Sequence, residues 1–452
     1  MSEMRELCIA SRQSRLDNRK TRVPGRKSML YQIREGQRAI LNPLSDWAEA
    51  MSKLYANPYS LMSYVPFSNR IAAGFELMHR LGKEYEKPAF GLGTTTVQGQ
   101  QVSVVERIEL SKPFCRLLKF ERLLPNALAA RAADPTVLLV APLSGHHATL
   151  LRDTVRALLP DHNVYITDWV DARMVPLAEG PFHLDDYVAY CIEFIRHLGP
   201  QVHVISVCQP TVPVLAAVSV MATLKDPKLP LTMTMMGGPI DTRSSPTQVN
   251  NLATNHSYEW FEHNVIHTVP MKYPGGGRRV YPGFLQHAGF VAMNPDRHVN
   301  SHWDFYLDLT RGDLDDAEAH RKFYDEYNAV LDLPAQYYLD TIRIVFKEHQ
   351  LPLGNWHVQF EGQRIKVQPA NIRNVALFTI EGELDDISGS GQTEAAHGLC
   401  SNIPREHQQH LTAKDCGHYG IFSGRRWREY IYPQIRDFIR AHEQRIGLRR
   451  VK

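Results

Sequence analysis

The sequence predicts an α/β protein with a mostly parallel sheet, helices on both faces of that sheet, a large insertion and an N-terminal helical segment. From residue 135 onward, short apolar strands alternate with helix-competent segments, a rhythm typical of parallel strands joined by crossover helices. The repeat stops at residue 237 and returns at about residue 370, which indicates an insertion late in the sheet. Between residues 29 and 88, apolar residues recur at helical spacing.

Length and composition set the first limits. The chain has 452 residues, of which 43% are hydrophobic and 22% are charged, so it can fill a sizeable core. That length requires two domains or one domain with a large insertion, and the interrupted strand rhythm favours the second. The net charge of +3 lacks the basic excess of a nucleic-acid binder, so we expect no nucleic-acid partner.

The six cysteines are scattered without short paired spacings, which argues against both a disulfide framework and a zinc site. The adjacent His146 and His147 lack a carboxylate or thiol at ligand spacing, so we expect no metal there either. No apolar run is long enough to span a membrane, and no N-terminal signal core is evident. We therefore expect a cytoplasmic protein with reduced thiols and no transmembrane segment.

The organisation along the chain follows from these patterns. We expect a basic, disordered extension whose role stays open, then a helical segment, then a core that is split by a lid. The corresponding ranges are 1–28 for the extension, 29–100 for the helical segment, 101–240 and 370–452 for the core, and 241–369 for the lid insertion.

Each strand and helix has its own local signal. Alternating apolar residues predict an antiparallel pair at 102–110 and 116–120. The parallel strands are predicted at 137–140, 164–167, 202–207, 231–236, 375–380 and 410–413. The helices are predicted at 149–159, 184–198, 212–224, 317–331, 337–346 and 425–442.

The most informative segment is a buried strand that runs directly into a helix, with Cys208 at the junction. A catalytic nucleophile can occupy such a sharp strand-to-helix turn, where its side chain projects above the sheet. Ser206 and Pro210 stand where the usual motif has glycine. Ser206 is small, and Pro210 has its φ angle already set for a first helical turn. The alternative interpretation is a buried cysteine that only fills space.

Two further loops supply the partners that a nucleophile needs. Asp385 and Asp386 follow the strand at 375–380, and His418 lies in a glycine-flanked loop after the last strand. Nucleophile, acid and base in this chain order are typical of the α/β-hydrolase fold. From the pattern alone, either aspartate can be the acid.

These residues predict an acyl-transfer site. His418 would take the thiol proton, the carboxylate would orient the imidazole, and the thiolate would attack an acyl carbonyl. The developing oxyanion needs two N–H donors. We expect one from Gln209, directly after the nucleophile, and one from Leu143 or Ser144 in the loop after the first parallel strand.

Several motifs give the chain a resemblance to a known family. It resembles the intracellular polyhydroxyalkanoate (polyhydroxybutyrate) depolymerases from about residue 29 almost to its end. The motifs are Leu143-Ser144-Gly145-His146-His147, Ile166-Thr167-Asp168-Trp169-Val170-Asp171-Ala172-Arg173, Val207-Cys208-Gln209-Pro210, Gly237-Gly238-Pro239-Ile240-Asp241, Tyr281-Pro282-Gly283-Phe284-Leu285-Gln286, Met293-Asn294-Pro295-Asp296-Arg297-His298 and Gly417-His418-Tyr419-Gly420.

This resemblance implies a Cys208, Asp385 and His418 triad that acts on stored poly(3-hydroxybutyrate) granules in the bacterial cytoplasm. It also favours Asp385 over Asp386, since the related polymer synthases place their acid first in an Asp-x-Ile motif. No cofactor is implied. Either water or coenzyme A can be the acyl acceptor, and no phosphate-binding glycine motif decides between them.

Two other functions compete with depolymerisation. A synthase-like acyltransferase would share the fold and the triad, but synthases resemble Gly-x-Cys-x-Gly at the elbow, which this chain lacks. A non-catalytic granule-binding protein would have no need of the three residues. The preferred monomer, the chain length, the lid position and the oligomeric state stay open, a homo-oligomer being one alternative.

The insertion concentrates aromatic residues that could line an acyl channel or contact a granule. The alternative is that most of them pack the core of the lid itself. These residues are Trp260, Phe261, Tyr281, Phe284, Phe290, Trp303, Phe305 and Tyr306.

Overall fold

A computed structural model describes residues 29–293 and 295–450, so the expected extension at 1–28 lies outside the described residues. One sheet of nine strands forms the centre of the molecule, in the order β1-β2-β3-β5-β4-β6-β7-β13-β14. Its strands are β1 Thr94–Val97, β2 Gln100–Ser111, β3 Cys115–Arg122, β4 Thr136–Val140, β5 Asn163–Trp169, β6 Val202–Val207, β7 Thr232–Met236, β13 Ala376–Gly382 and β14 Gln408–Ala413.

Smaller strands and the helices complete the described chain. The insertion contains β8 His267–Thr268, β9 Arg279–Tyr281, β10 Leu333–Pro334, β11 His357–Phe360 and β12 Gln363–Lys366. The helices are α1 Met29–Ala56, α2 Ser68–Gly82, α3 Arg152–Leu158, α4 Leu184–Leu198, α5 Thr211–Thr223, α6 Gln248–Asn255, α7 Tyr258–Asn264, α8 Gly283–Met293, α9 Pro295–Arg311, α10 Leu314–Tyr327, α11 Ala335–Thr341, α12 Ala396–Leu399, α13 Gly424–Arg426 and α14 Tyr432–Arg450.

The sheet is parallel from β5 to β14 and antiparallel at its β1–β3 edge. Strands β6, β7 and β13 are buried along their whole length, as expected of strands that are covered on both faces. Each predicted strand occurs with its ends displaced by at most two residues. The predicted α/β-hydrolase architecture is therefore confirmed.

The helix predictions are confirmed with local differences. Helix α4 has the predicted bounds, whereas the helix predicted at 337–346 begins as α11 and continues as a π-helix over Ile342–Lys347. The terminal helix likewise contains a π turn at Trp427–Ile431 before α14. Periodicity indicates a helix but does not distinguish α from π hydrogen bonding, because the two differ by one residue per bond.

The insertion divides into two parts that pack differently. Residues 351–367 include the hairpin of β11 and β12, and most of their apolar side chains belong to the main core. The part before them holds α6 to α11 and the short sheet of β8, β9 and β10. This earlier part contributes most of the insertion's side chains to the cavity described below.

The N-terminal segment forms a hairpin of α1 and α2, which precedes β1. Tyr31 of α1 donates a hydrogen bond to Asp332 of the insertion at 2.8 Å, and Glu76 of α2 accepts one from Arg321 of α10 at 2.6 Å. These two hydrogen bonds attach the hairpin to the insertion. Among the described residues, no helix combines the length and the apolar character that crossing a bilayer requires.

Candidate active site

Cys208 occupies a strained turn between β6 and α5. Its φ angle is +69°, in the left-handed region that L side chains rarely adopt. The Cys208 N–H donates to the Met236 carbonyl at 2.7 Å, which fixes the turn against the end of β7. Such a conformation costs about 1–3 kcal/mol and concentrates at functional sites. The half-buried thiol therefore stands at the strand-to-helix turn expected of a nucleophile elbow.

The two residues that replace glycine in this elbow fit the structure. Ser206 is fully buried, and its hydroxyl donates to the Thr234 carbonyl at 3.3 Å, so the small side chain lies against the neighbouring strand. Pro210 has a φ of −67° and immediately precedes α5. Its carbonyl accepts the N–H of Val214 at 2.9 Å. The turn thus needs a small residue at position 206 and a helix-compatible residue at position 210, and residues other than glycine meet both requirements.

The Asp385 carboxylate is completely buried and fully hydrogen-bonded. Its Oδ2 is 2.7 Å from Nδ1 of His418. Its Oδ1 accepts the backbone N–H groups of Ile387 at 2.9 Å and Ser388 at 2.8 Å. Asp386 is exposed to solvent. The structure therefore brings Asp385 to His418, whereas Asp386 has no place in the buried pair.

The His418 ring lies between Asp385 and Cys208. Burial disfavours the charged imidazole, but the Cys208 sulfur and the hydrogen bond that His418 donates to Asp385 outweigh it and raise the pKa of His418 to about 10. A hydrogen bond with the Cys208 side chain adds to this rise. Protonated His418 is therefore favoured when Cys208 is a thiolate. An imidazolium beside a thiolate is suited to nucleophilic attack followed by proton donation to a leaving group.

Gly237, at the end of β7, provides the space that this pair needs. Its φ is +55°, and a Cβ there would lie 2.6 Å from Cδ1 of Ile421, 3.2 Å from Cε1 of His418 and 3.3 Å from Oδ2 of Asp385. A side chain at this position would enter the contact between the two ionisable groups. The Gly237-Gly238 pair was visible in the sequence, but only the spatial arrangement links it to His418 and Asp385.

A buried carboxylate holds the loop that carries Asp385. Glu381 Oε1 accepts the N–H groups of Thr393 at 2.6 Å and Glu394 at 2.9 Å, and Oε2 accepts that of Gly391 at 2.8 Å. The Thr393 hydroxyl in turn accepts the N–H of Gly238 at 2.7 Å and donates to its carbonyl at 3.0 Å. The acid loop is thus fastened to the glycine pair beside His418. Sequence reasoning missed both residues, because their partners are distant in the chain.

The expected oxyanion donors lie around the same thiol. Gln209, Leu143 and Ser144 line one cavity together with Cys208 and His418. The Leu143 N–H donates to the Gln209 side-chain oxygen at 3.4 Å, a long contact that joins the two loops. Within the described part of the chain, the N–H groups of Gln209 and Ser144 have no protein acceptor. Two unoccupied backbone donors near a nucleophile are what an oxyanion requires.

The cavity above Cys208 has a volume of about 540 Å³ and a mostly apolar wall. This size is in the range that holds a small organic ligand. Of the insertion aromatics singled out above, three line the cavity, and others are packed in the core or exposed. The apolar wall from the insertion comprises Leu252, Ala253, Phe261, Tyr281, Phe290, Leu333, Tyr337, Tyr338, Ile342 and Phe346.

Metal ligation has weak support among the described residues. Glu381, Glu394 and His410 place ligand atoms within 4.8 Å of one another. The Glu381 oxygens already accept three backbone N–H groups, however, and both His410 nitrogens contact threonine hydroxyls. His146 lies against the Phe290 ring, and its Nε2 is 3.2 Å from the Tyr327 carbonyl oxygen. These contacts explain the side chains without an ion.

We expect Gly237→Ala to lower the free energy of unfolding by about 2 kcal/mol, because the substitution combines an unfavourable φ with a steric conflict. Gly74→Ala is the matched control, since a Cβ at Gly74 meets nothing within 4 Å and the residue lies inside α2. Urea unfolding of both variants measures the difference. Equal stability of the two proteins would show that the close approach at Gly237 is unimportant.

No curated protein matches the chain. Similar solved structures include a putative lipase from Acinetobacter baumannii AYE, with 12% identity, coverage of 76% of this chain and 93% of that chain, and a TM-score of 0.40. Another is the monoacylglycerol lipase of Paleococcus ferrophilus, with 12% identity, coverage of 68% and 94%, and a TM-score of 0.38. Similarity to solved structures at this level does not indicate function.

The family comparison is more informative. The family model described as PHB de-polymerase C-terminus matches residues 237–443. The match includes the glycine pair that begins at Gly237, the Asp385 loop and His418, and it begins after Cys208. The resemblance noted in the sequence is therefore confirmed over residues 237–443, the part of the chain that matches the polyhydroxybutyrate depolymerase family.

Proposed function

We propose that this ester hydrolase cleaves poly(3-hydroxybutyrate) through a covalent acyl-enzyme on Cys208. The observation that carries the proposal is the buried His418–Asp385 pair, joined at 2.7 Å, beside a thiol at a strained elbow that faces an apolar cavity. The match of residues 237–443 to the depolymerase family supports an ester or polyester substrate. We further propose that the protein acts in the cytoplasm on the surface of storage granules.

The first half of the reaction forms a thioester. The Cys208 thiolate attacks the ester carbonyl carbon, and the resulting oxyanion accepts the N–H of Gln209 and that of Ser144 or Leu143. Collapse of the tetrahedral intermediate breaks the bond between the carbonyl carbon and the ester oxygen. His418 donates its proton to the departing alkoxide, and Asp385 holds the ring in the orientation that this transfer needs. One polymer fragment leaves with a free hydroxyl group.

The second half releases the acyl group. Water attacks the thioester carbonyl while His418 accepts a proton from it, and the Cys208 thiolate departs. The product is a 3-hydroxy acid or its oligomer, and the protonated His418 and thiolate are restored. If coenzyme A is the acceptor, its thiol replaces water and the product is an acyl thioester. No cofactor participates in either version.

Incubation of the purified protein with amorphous granules, with and without coenzyme A, tests the function and identifies the acceptor. We expect 3-hydroxybutyrate or its short oligomers without coenzyme A, and the thioester if coenzyme A is accepted. Incubation with 3-hydroxybutyryl-CoA tests the competing synthase activity. Release of coenzyme A together with polymer growth, in the absence of granule degradation, would contradict the proposal.

Cys208→Ala should lower the rate of polymer degradation by at least about 10⁴-fold, because removing the nucleophile of a triad has effects of this order. The matched control is Cys416→Ala, which removes a buried thiol without a role in the proposed reaction. Product release from granules measures both variants, and circular dichroism checks their folding. Near-normal turnover by a folded Cys208→Ala protein would exclude Cys208 as the nucleophile.

Asp385→Asn should lower turnover by about 10³- to 10⁴-fold, because an amide favours the wrong imidazole tautomer at His418. Asp386→Asn is the adjacent control and should change turnover less than about twofold, since its side chain is exposed. Kinetics on a soluble p-nitrophenyl ester compare the variants without granule binding. Similar losses in both would place the acid elsewhere.

Ala292→Trp tests the role of the cavity wall that the insertion provides. Ala292 lines the cavity and is itself exposed, so a larger side chain there can obstruct entry without disturbing the core. We expect about a 10-fold loss on polymer or long oligomers, and less than a twofold change on a short p-nitrophenyl ester. Ala292→Ser is the size-matched control. Equal losses on the long and short substrates would contradict a role in admitting the chain.

A further inference from the structure

An unusual apolar surface lies at the end of the N-terminal hairpin, far along the chain from the site residues. We name residues 57–70, which join α1 to α2, the hairpin tip. Six large apolar side chains of the tip are exposed, and the four most exposed of them have exposed fractions of 95% for Tyr59, 86% for Leu61, 79% for Tyr64 and 71% for Phe67. Scattered single apolar residues are ordinary on a protein surface, but six within nine residues of the chain call for an explanation.

The polar groups of the tip are used internally. The Ser63 hydroxyl donates to the Ser60 carbonyl at 2.8 Å, and the Ser68 hydroxyl donates to the Ser63 carbonyl at 2.8 Å. Ser60 Oγ accepts the Met62 N–H at 3.2 Å, and Asn57 Oδ1 accepts the Tyr59 N–H at 3.0 Å. Surface loops usually present such groups to water. Here they hold the backbone in place, and the apolar side chains are displayed.

Phe67 is held in an unfavourable backbone conformation. Its φ is +66° in the left-handed region, where asparagine or glycine fits far better than an aromatic residue. The Phe67 carbonyl accepts the N–H groups of Arg70 at 2.9 Å and Ile71 at 3.1 Å, which begins α2. The Arg70 guanidinium lies 5.5 Å from the ring centroid. Strain that keeps a phenyl ring exposed gives no folding advantage and indicates a function for the ring.

Apart from Arg70 at its end, the tip also has no charged side chain. From Leu54 to Asn69 there is no Asp, Glu, Lys or Arg. The nearest basic residues are engaged, since Lys53 pairs with Glu49 at 2.6 Å and Arg70 contacts Phe67. A surface that binds anionic lipid needs a cluster of free basic residues, which the tip does not offer. The chemistry of the tip matches an uncharged partner.

We propose that the hairpin tip is a docking surface for the polyester surface of the storage granule, an inference that rests on the proposed function. Poly(3-hydroxybutyrate) is uncharged, with methyl groups that can pack against Leu61 and Phe67 and ester carbonyls that can accept hydrogen bonds from tyrosine hydroxyls. Tyr59 and Tyr64 combine an apolar ring with such a donor.

The hairpin connects the docking surface at its tip to the region of the proposed active site. Helix α1 has 28 residues, so the tip is roughly 42 Å from the start of this helix. Near that start, Tyr31 bonds to Asp332 of the insertion, and Arg80 near the end of α2 pairs with Asp325 at 2.9 Å. Docking at the tip would therefore place the granule surface at one end of the hairpin. The other end of the hairpin is already bonded to the insertion that lines the cavity.

The test compares a tip variant with a control that removes equal numbers of exposed apolar residues elsewhere. The tip variant carries Tyr59→Ser, Leu61→Ser, Tyr64→Ser and Phe67→Asn, and asparagine is chosen because it tolerates positive φ. The control carries Ile108→Ser, Leu123→Ser, Leu177→Ser and Leu353→Ser, whose side chains are exposed by 57%, 51%, 55% and 50%. Both sets are made in the full chain, with and without Cys208→Ala.

Co-sedimentation with amorphous poly(3-hydroxybutyrate) granules, with phosphatidylcholine vesicles and with phosphatidylserine vesicles measures binding. We expect the tip variant to bind granules at least 10-fold more weakly than the parent and the control, with unchanged turnover of a soluble p-nitrophenyl ester. Phe67→Asn alone should weaken granule binding while raising the melting temperature. Gel filtration reports whether the tip changes the oligomeric state.

Four outcomes overturn the inference: equal granule binding by the tip variant and the parent, an equal loss in the control, preferential binding of the parent tip to vesicles, or dissociation of an oligomer by the tip substitutions. The proposed function is tested separately in the same experiment. A parent protein that binds granules through the tip but releases no product would refute the reaction and leave the docking surface in place.

Discussion

The proposed catalytic arrangement depends on one buried contact, the 2.7 Å hydrogen bond between Asp385 and His418. Burying a carboxylate completely costs free energy unless both of its oxygens accept hydrogen bonds. The backbone N–H groups of Ile387 and Ser388 meet one oxygen of Asp385, and His418 meets the other. The loop conformation and the imidazole orientation are therefore set by the same requirement. Because the loop N–H groups occupy one oxygen of Asp385, the imidazole of His418 donates its hydrogen bond to the other oxygen.

The surrounding structure makes room for this contact and keeps it in place. Gly237 leaves space because it has no Cβ, and Glu381 fastens the acid loop through three backbone N–H groups. Cys208 lies at the carboxyl end of β6, in a strained turn that is fixed to Met236. The parallel sheet supplies the geometry, because the carboxyl ends of β6, β7 and β13 meet at one edge. The chemistry that we propose follows from bringing a thiol, an imidazole and a carboxylate to that edge.

Much of this organisation could be predicted from the sequence, because it depends on short-range patterns. Apolar runs between turn residues located the parallel strands, and chain order suggested Cys208 and His418 as partners. Asp385 and Asp386 could not be separated by pattern, because the two residues differ in burial and not in sequence context. The bracing by Glu381 and the space at Gly237 also escaped prediction, since both depend on residues that are brought together only by the fold. The same holds for Tyr337, Tyr338 and Phe346, whose place in the cavity wall depends on how α11 and the following π turn pack.

The central claim is that Cys208 carries the acyl group during the reaction. The most direct test is rapid acid quenching of the enzyme during turnover of a 3-hydroxybutyrate oligomer, followed by proteolysis and mass spectrometry of the peptide that contains Cys208. The account predicts a 3-hydroxyacyl thioester on Cys208 that disappears as substrate is exhausted. An acyl group on a serine or another residue, or turnover at normal rate with no detectable adduct on any peptide, would contradict it.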